Sequence, residues 1–458
     1  MRFTPYVLAV IVAAASTSGY AAESANPPGQ PATVATGLVR LEPAEKVTQR
    51  LAWWEDARFG MFIHWGLYSQ WGCHYPDKNG NLLNGYSEHM MLRLRIPLAK
   101  YAKIADVFNP TCFDADQWVR IAKDAGMRYL VITAKHHDGF AMFDSPSSDY
   151  NIVKRTPFGR DVVKELAAAC HREGLRFGVY YSLGRDWQDP DVPTKNGYRS
   201  NTWDYPDEAY KDFAKYFERK VKPQVRELLT QYGPIAVLWF DTPEEIAPAE
   251  SKELMQLVHQ LQPECIVNQR VGNRYGDYRV EEQNIPKSAL HDPWETCMTL
   301  NRHWGYFYGD EDYKPASVVI RHLIDVVSKN GNFLLNVGPT GEGVIPPPAI
   351  ADLRQVGRWL HVNGEAIYGA KGTSMEQPAW GRITQKTSRQ GTTFYLHVFD
   401  WPANGQLVVQ GLSQPVSTAL LLATGSVLST RRSNHDLIVS VPPQAPDAVS
   451  TTIVLNCR

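Results

Sequence analysis

This sequence contains few cysteines and has almost no net charge. Lys and Arg number 47 and Asp and Glu number 48, so the formal net charge of −1 gives no reason to expect a nucleic acid or an anionic membrane as partner. No Cys-x-x-Cys pair occurs, so neither a redox motif nor a zinc site is indicated. We expect Cys170, on the apolar side of a predicted helix, to be a buried thiol. The sequence leaves the disulfide pairing of the six cysteines open: Cys73, Cys112, Cys170, Cys265, Cys297 and Cys457.

Several catalytic motifs are also absent. No Gly-x-Gly-x-x-Gly opens a helix after a strand, which argues against a dinucleotide fold, and no glycine-rich phosphate loop is present. There is no Gly-x-Ser-x-Gly elbow for serine catalysis. No His-Glu-x-x-His or His-x-His pattern occurs, and the adjacent His136 and His137 should point to opposite sides of an extended chain. We therefore expect no metal site.

A long apolar run occurs only near the N-terminus. Arg2 precedes VLAVIVAAA at 7–15, and small residues follow this run. The pattern predicts a signal peptide over residues 1–22, cleaved near Ala21 or Ala22, and hence an exported protein that is periplasmic or secreted. The run is too short for a comfortable membrane span, and no later segment approaches one. Residues 23–45 are rich in Pro, Ala and Gly and are expected to form a disordered lead-in.

Between residues 46 and 368, short apolar runs alternate with helical patterns. The plainest run, AVLWFD at 236–241, is typical of a strand buried on both faces of a parallel sheet. Eight such strands alternating with helices predict an α/β fold of the (β/α)8 TIM-like barrel type. The predicted strands are 58–66, 127–140, 175–182, 236–241, 264–270 and 332–339, with weaker candidates at 278–285 and 294–301. The predicted helices are 114–126, 161–174, 208–229 with an interruption at Pro223, 254–261, 317–329 and 349–362.

The pattern changes over residues 369–458. Five short β-branched runs are separated by Gly, Pro and Asn turns, with no helical pattern between them. This predicts a C-terminal antiparallel β-sandwich that packs against the barrel.

Polar residues occur toward the ends of seven predicted barrel strands. The carboxyl ends of barrel strands meet at one loop-covered edge, so these side chains should converge there. Two carboxyl groups facing one sugar are what glycoside hydrolysis needs, because one attacks or activates water and the other protonates the leaving oxygen. The converging residues are His64, His136, His137, Tyr180, Asp241, Arg270, Glu281, Glu282 and Glu295.

Five segments resemble those of a known enzyme family. They are FGMFIHWGLYS, TAKHHDGFAMFDS, GLRFGVYYS, LWFD and SKNGNFLLNVGPTGEGVIP. Over about Trp53 to Ala370 the chain is similar to the retaining α-L-fucosidases, glycoside hydrolase family 29. The resemblance implies a barrel with a β-sandwich tail and exo-hydrolysis of terminal α-L-fucose with net retention. It also implies a fucosylated oligosaccharide or glycoconjugate as substrate, and no metal or cofactor.

Roles for individual residues follow from the resemblance. It implies that Asp241 is the nucleophile that forms a fucosyl-enzyme ester. Glu88 resembles the Glu of a Glu-Trp pair, although His89 stands where a Trp is common, and Trp304 matches an aromatic position near the fucose methyl. Aromatic carbon suits the apolar methyl of a 6-deoxy sugar. The other positions implied to contact or frame fucose are His64, His136, His137, Tyr180, Trp239 and Arg270.

The acid/base remains open between three glutamates. Glu282 follows Asp241 by 41 residues, a separation seen in the family, and we favour it. Glu295 is the alternative and Glu281 a lesser one, since adjacent strand residues face opposite ways. Two other functions also remain open: a retaining glycosidase for another terminal sugar, and a non-catalytic carbohydrate-binding barrel. The sequence indicates neither the linkage nor the oligomeric state, and an oligomer is possible.

Overall fold

The computed structural model describes residues 37–75, 85–193 and 199–458. The predicted signal peptide, 1–22, lies outside the described residues, as do positions 23–36 of the predicted lead-in. Within the described ranges, no helix combines the length and the apolar character that crossing a membrane requires.

Eight parallel strands form the predicted barrel. Their order in the sheet is β5-β4-β3-β2-β1-β8-β7-β6, so each strand lies beside its neighbours in sequence and β1 pairs with β8. Most of these strands are buried at every position, which explains their nearly continuous apolar runs. Their bounds are β1 Phe59–Ile63, β2 Tyr129–Lys135, β3 Arg176–Ser182, β4 Val237–Asp241, β5 Ile266–Val267, β6 Arg279–Glu282, β7 Trp294–Thr299 and β8 Asn332–Val337.

The barrel closes between β5 and β6 through a short contact. The backbone N–H of Gln269 donates to the Tyr278 carbonyl at 2.9 Å, and that of Asp277 donates to the Val267 carbonyl at 2.7 Å. Only a single 3-10 turn, Gln269–Val271, lies between the two strands. The helices predicted from the sequence also include none between these two strands, and the connection is too short to hold a crossover helix.

Seven helices of ten or more residues are found in the described ranges. They are α1 Ala44–Ala57, α2 Ala115–Asp124, α3 Val162–Glu173, α4 Lys222–Gln231, α5 Pro248–Leu261, α6 Ala316–Ser328 and α7 Pro347–Asn363. Single α-helical turns lie at Tyr68–Trp71, Met90–Arg93, Leu98–Tyr101, Ile152–Arg155 and Phe213–Tyr216. The 3-10 turns are Ser87–His89, Ala102–Asp106, Glu208–Tyr210, Gln269–Val271 and Gly364–Ala366.

Helix ends follow local chemistry. The Asp161 carboxylate accepts from the Lys164 N–H at 2.9 Å, and Gly174 ends α3 with a φ of 74°, as the sequence predicted. The interruption predicted at Pro223 is not found, because Pro223 is the second residue of α4 and the chain is helical on both sides of it. The chain instead makes a π-helical turn at Phe217–Val221, which lets the helix continue although proline donates no hydrogen bond.

Helix α1 was not predicted, although its pattern is present in the sequence. Its buried residues Val47, Leu51 and Trp54 are spaced i, i+4 and i+7. They join the cluster of side chains inside the barrel, where Trp54 lies 4.7 Å from Tyr278 between ring centroids. The Trp54 carbonyl accepts from the side chain of Asn332, the first residue of β8. Helix α1 therefore covers the amino-terminal end of the barrel and leaves the opposite end for a site.

Eight antiparallel strands follow the barrel and form two sheets. The sheets have the orders β13-β16-β11-β10-β9 and β12-β15-β14, and they enclose one apolar core. Five of these strands were predicted from the sequence, and β9, β10 and β14 were not. The bounds are β9 Lys371–Gly372, β10 Gly381–Ser388, β11 Gly391–Val398, β12 Gln406–Val409, β13 Val416–Leu421, β14 Thr430–Ser433, β15 Asp436–Ser440 and β16 Thr451–Cys457.

All six cysteines fall within the described ranges, and all are free thiols. Cys170 is buried, as predicted, and only Cys112 is exposed.

Candidate active site

Asp241 ends β4 at the carboxyl end of the barrel, as predicted. Its Oδ2 accepts a hydrogen bond from the Tyr180 hydroxyl at 2.8 Å, and its Oδ1 accepts one from Arg270 at 2.7 Å. Burial disfavours the carboxylate, but the Arg270 charge and the Tyr180 hydroxyl outweigh burial and hold the pKa of Asp241 below its usual value. Asp241 is therefore an ionised carboxylate with fixed orientation.

Arg270 links Asp241 to Glu282. Its second terminal nitrogen donates to Glu282 at 2.6 Å, and its guanidinium lies 5.0 Å over the Trp239 ring. Glu282 ends β6 and pairs across the sheet with Cys297, which lies inside the barrel. Because strand residues alternate, Glu281 faces the other way, as the sequence analysis expected. The structure thus brings two carboxylates to one guanidinium.

Glu295 does not lie where the sequence placed it. It is the second residue of β7, at the amino-terminal end of the strand, and not at the carboxyl-terminal edge. Its carboxylate is fully buried beneath Trp239, where it accepts from the Trp239 indole at 3.0 Å and the Tyr129 hydroxyl at 2.6 Å. Burial raises the pKa of Glu295 to about 7. The predicted strand, 294–301, begins at the same residue as β7, so the error was to assign Glu295 to the carboxyl end of the strand, which Thr299 occupies.

Three histidines and a tyrosine form a wall beside Asp241. The ring of His136 lies 5.6 Å from that of His64, 4.1 Å from that of His137 and 5.4 Å from that of Tyr180. His136 and His137 therefore share a side, contrary to the expectation from an extended chain. The reason is that β2 ends at Lys135 and the chain then turns.

Trp304 continues this wall. Its ring lies 5.0 Å from that of His64 and 6.1 Å from that of Phe62, and its backbone carbonyl accepts from Asn336 at 2.7 Å. The Trp239 ring packs 5.6 Å from that of Tyr180. The pocket therefore has an aromatic surface next to its polar groups, which suits a sugar that carries a methyl group.

Glu88 is buried behind the wall. Its Oε2 accepts from the Gly305 N–H at 3.0 Å, and its Oε1 has no hydrogen-bond partner among the described residues. Burial raises the pKa of Glu88. The neighbouring His89 contributes a ring 5.3 Å from His137 and 5.9 Å from Trp187, so an imidazole fills the position where a Trp is common.

Five residues that shape the site are not among those predicted from the sequence. Trp187 lies 5.5 Å from the ring of His137, and Thr242, next to Asp241, has a φ of 54°, which is unusual for a β-branched residue. The Thr242 carbonyl accepts from Gly184, where a Cβ would lie 2.2 Å from that oxygen. Ser182 and Asn336 are buried polar residues on β3 and β8, and a polar residue inside an apolar strand is the signal that identifies them.

No metal centre accompanies these residues. Over the three described ranges, no three His, Cys, Asp or Glu side chains are placed so that they could hold a metal ion. A separate open cavity of about 1010 Å³ lies between the first turn of α2 and the side of α3 that carries Lys164, Ala168 and Arg172, and the predicted site residues do not line it. Two carboxylates, one fixed cation and an aromatic and imidazole wall can carry out displacement chemistry on a sugar.

Comparison with known proteins agrees with this chemistry. The sequence model of the family described as Alpha-L-fucosidase matches residues 39–365. The plasma alpha-L-fucosidase of Homo sapiens is 33% identical over 380 residues, which cover 78% of this chain and 77% of that protein.

Solved structures agree in fold. Alpha-L-fucosidase isoenzyme 1 from Paenibacillus thiaminolyticus is 38% identical with a TM-score of 0.81, covering 90% of this chain and 100% of that one. A GH29 alpha-L-fucosidase from Bacteroides thetaiotaomicron, trapped as a covalent intermediate with 2-fluoro-fucosyl fluoride, is 28% identical with a TM-score of 0.78. The match covers 90% of this chain and 96% of that one. The chain described here belongs to the alpha-L-fucosidase family.

Proposed function

We propose that this protein is an exo-acting α-L-fucosidase that removes terminal α-L-fucose from glycans or glycoconjugates by a retaining double displacement. The observation that carries the proposal is the single Arg270 guanidinium, which holds Asp241 and Glu282 at 2.7 and 2.6 Å. Retaining glycosidases need two carboxyl groups close together, one as nucleophile and one as acid/base. Family membership supports the same reaction.

In the first step Asp241 attacks C1 of fucose and Glu282 protonates the departing oxygen. The C1–O bond to the leaving group breaks as the C1–O bond to Asp241 forms. The low pKa of Asp241 keeps it ionised for this attack. Glu282 has to leave Arg270 and carry a proton to act as the acid, and its side chain, 33% exposed, has room to do so. In the second step Glu282 takes a proton from water, which displaces Asp241.

The wall residues bind the sugar in this proposal. His64, His136, His137 and Glu88 supply polar contacts to the ring hydroxyls. The Trp304 ring lies against the fucose methyl, and Tyr180 and Arg270 orient the nucleophile. Trp239 frames the floor of the pocket, since its indole N–H is held by buried Glu295.

The anomer released first from an aryl α-L-fucoside tests the proposal. We expect proton NMR to show α-L-fucose before mutarotation, because two displacements at C1 restore the starting configuration. Early β-L-fucose would refute the double displacement. A panel of other aryl glycosides serves as the control, and faster cleavage of a different terminal sugar would refute the substrate.

Export belongs to the same proposal. It is supported by Arg2, the apolar run at 7–15 and the small residues before Ala22. N-terminal sequencing of the protein recovered outside the cytoplasm should begin directly after Ala21 or Ala22. A protein that stays in the cytoplasm with its first residues intact would refute export.

A further inference from the structure

Two buried residues outside the predicted site contact its histidines. The Oγ of Ser182 lies 2.6 Å from Nδ1 of His137, and the Oδ1 of Asn336 lies 2.7 Å from Nδ1 of His64. Both Ser182 and Asn336 are fully buried. Each contact taken alone fits a ring nitrogen that donates or one that accepts, so the second partner of each residue decides the proton position.

The Ser182 hydroxyl has a single proton to donate, and the second contact of this hydroxyl determines which partner receives it. Its hydroxyl lies 2.8 Å from the carbonyl oxygen of Arg185, which can only accept. Ser182 therefore donates to Arg185 and must accept from His137. The proton of neutral His137 is then on Nδ1, and its Nε2 carries a lone pair.

Asn336 fixes His64 in the same way. Its Nδ2 donates to the Trp304 carbonyl at 2.7 Å. This contact orients the amide, because the flipped side chain would place Oδ1 against the Trp304 carbonyl oxygen, and neither oxygen can donate. Oδ1 of Asn336 thus accepts from Nδ1 of His64, and Nε2 of His64 is the acceptor. Burial lowers the pKa of His64 to about 4 and that of His137 well below its ordinary value, so both rings are neutral near pH 7.

The tautomer matters most at the nucleophile. Nε2 of His137 lies 3.8 Å from Oδ2 of Asp241. If this nitrogen carried a proton, a small ring movement would let it donate to Asp241, which already accepts from Tyr180 and Arg270. A third donor would stabilise the carboxylate further and weaken it as a nucleophile.

We infer that Ser182 and Asn336 are positioning residues that hold His137 and His64 in one tautomer, with the proton on Nδ1. This keeps His137 from hydrogen-bonding Asp241 and gives the pocket two lone-pair acceptors for sugar hydroxyls. The expected effect on turnover rests on the proposed function, whereas the tautomers themselves do not.

Nitrogen NMR of the full-length protein with ¹⁵N-labelled histidine tests the tautomers without substrate. His64→Gln and His137→Gln identify the two resonance pairs. We expect Nδ1 protonated and Nε2 unprotonated in both rings near neutral pH, and a shift of His137 toward the other tautomer in Ser182→Ala. A proton on Nε2 of His137 in the unaltered protein, or no change in Ser182→Ala, would overturn the inference.

Kinetics separate positioning from simple support of the fold. Ser182→Ala should lower kcat/KM roughly 10- to 100-fold through the changed hydrogen bond. Ser182→Thr, which keeps the hydroxyl, should restore most of it. Unchanged kcat/KM in Ser182→Ala, or no recovery in Ser182→Thr, would contradict the role.

Thr384 provides a matched control. Its hydroxyl lies 3.0 Å from Nε2 of His397 and 2.9 Å from the Ala366 carbonyl, so it makes the same kind of link. His397 lies on β11, outside the barrel. Thr384→Val should shift the His397 resonances and leave kcat/KM unchanged. A loss equal to that of Ser182→Ala would show that any buried link of this kind matters only for stability, and would overturn the inference.

Discussion

Arg270 is a permanent positive charge between the two carboxylates of the site. A guanidinium does not lose its proton in proteins, so its effect on Asp241 does not vary over the working pH range. Stacking over Trp239 at 5.0 Å holds it in place. The ionisation of Asp241 is therefore set mainly by burial and by this one neighbour.

Replacing Arg270 by Gln should move the acid limb of the kcat/KM profile to higher pH. Asp241 has to be ionised to attack, and loss of the Arg270 charge raises its pKa, so activity is lost at a higher pH as the solution is acidified. Arg185 lowers the pKa of Asp241 less than Arg270 does, so Arg185→Gln should move the limb in the same direction by less. An unmoved limb in Arg270→Gln would contradict this account.

Glu282 and Glu295 should differ in how their loss depends on the leaving group. Glu282→Ala should lose roughly 10²- to 10⁴-fold in kcat/KM on a natural glycan and much less on a fucoside with an acidic phenol, because a good leaving group needs no proton. Glu295→Ala should lose similarly on both, since Glu295 supports Trp239 beneath the pocket. Measuring kcat/KM of both variants on both substrates decides which glutamate is the acid/base. The reverse pattern would assign that role to Glu295.

Most residues of the candidate site could be placed from the sequence because they follow recognisable strands. Asp241, Arg270 and Glu282 required only that parallel strands share a carboxyl edge. Glu295 was misplaced although the predicted strand began at the correct residue, because the second residue of a strand lies at the amino-terminal end of a barrel and not at its carboxyl edge. Ser182 and Asn336 depend on partners far away in sequence and could not be assigned a role from it.

At the scale of secondary structure, helix α1 is part of the barrel because it covers one end of the barrel interior. Trp54 is fully buried, contacts the Tyr278 ring and points its indole N–H toward Glu295 at 3.4 Å. The helix therefore supports the residues that lie directly under Trp239, and through them the floor of the site.

Trp54→Ala should destabilise the protein by about 3–5 kcal/mol, because it leaves a cavity that the rigid barrel cannot fill. Gln49→Ala, at an exposed position of the same helix, should stay within about 0.5 kcal/mol. Urea unfolding followed by circular dichroism measures both. Equal effects of the two changes would show that α1 does not contribute to the core.

The sequence predicted most elements but neither the contact that closes the barrel nor the path of the chain into Pro223. Periodicity identifies long helices and apolar strands, and the caps at Asp161 and Gly174 followed from local chemistry. The closure between β5 and β6 rests on few backbone hydrogen bonds and has no side-chain pattern of its own. The π-helical turn before Pro223 is likewise a tertiary adjustment that composition does not record.

For the whole molecule, the sandwich is bonded to the outer helices of the barrel. Arg321 of α6 donates to the Val449 carbonyl at 3.0 Å, and Trp359 of α7 donates to the Ser450 carbonyl at 3.1 Å. Arg382 of β10 forms an ion pair with Asp325 of α6. The barrel and sandwich prediction from sequence succeeded because the change from helical to strand periodicity near residue 369 is abrupt.

These links predict that the barrel and the sandwich unfold together. Scanning calorimetry should show one transition, and Arg321→Ala should lower its midpoint because it removes bonds across the contact. Arg354→Ala, exposed on α7, should leave the midpoint nearly unchanged. Two separate transitions in the unaltered protein would contradict this view.

The most direct test of the central claim is mass spectrometry of the enzyme after reaction with 2-fluoro-fucosyl fluoride. The fluorine at C2 slows hydrolysis of the ester intermediate, so a retaining enzyme accumulates it. We predict one fluorofucosyl group per chain, located by peptide mapping on Asp241, and no labelling of Asp241→Asn. A label on another carboxylate, or turnover of fucosides with no covalent label, would contradict the assignment of Asp241 as the nucleophile of a retaining α-L-fucosidase.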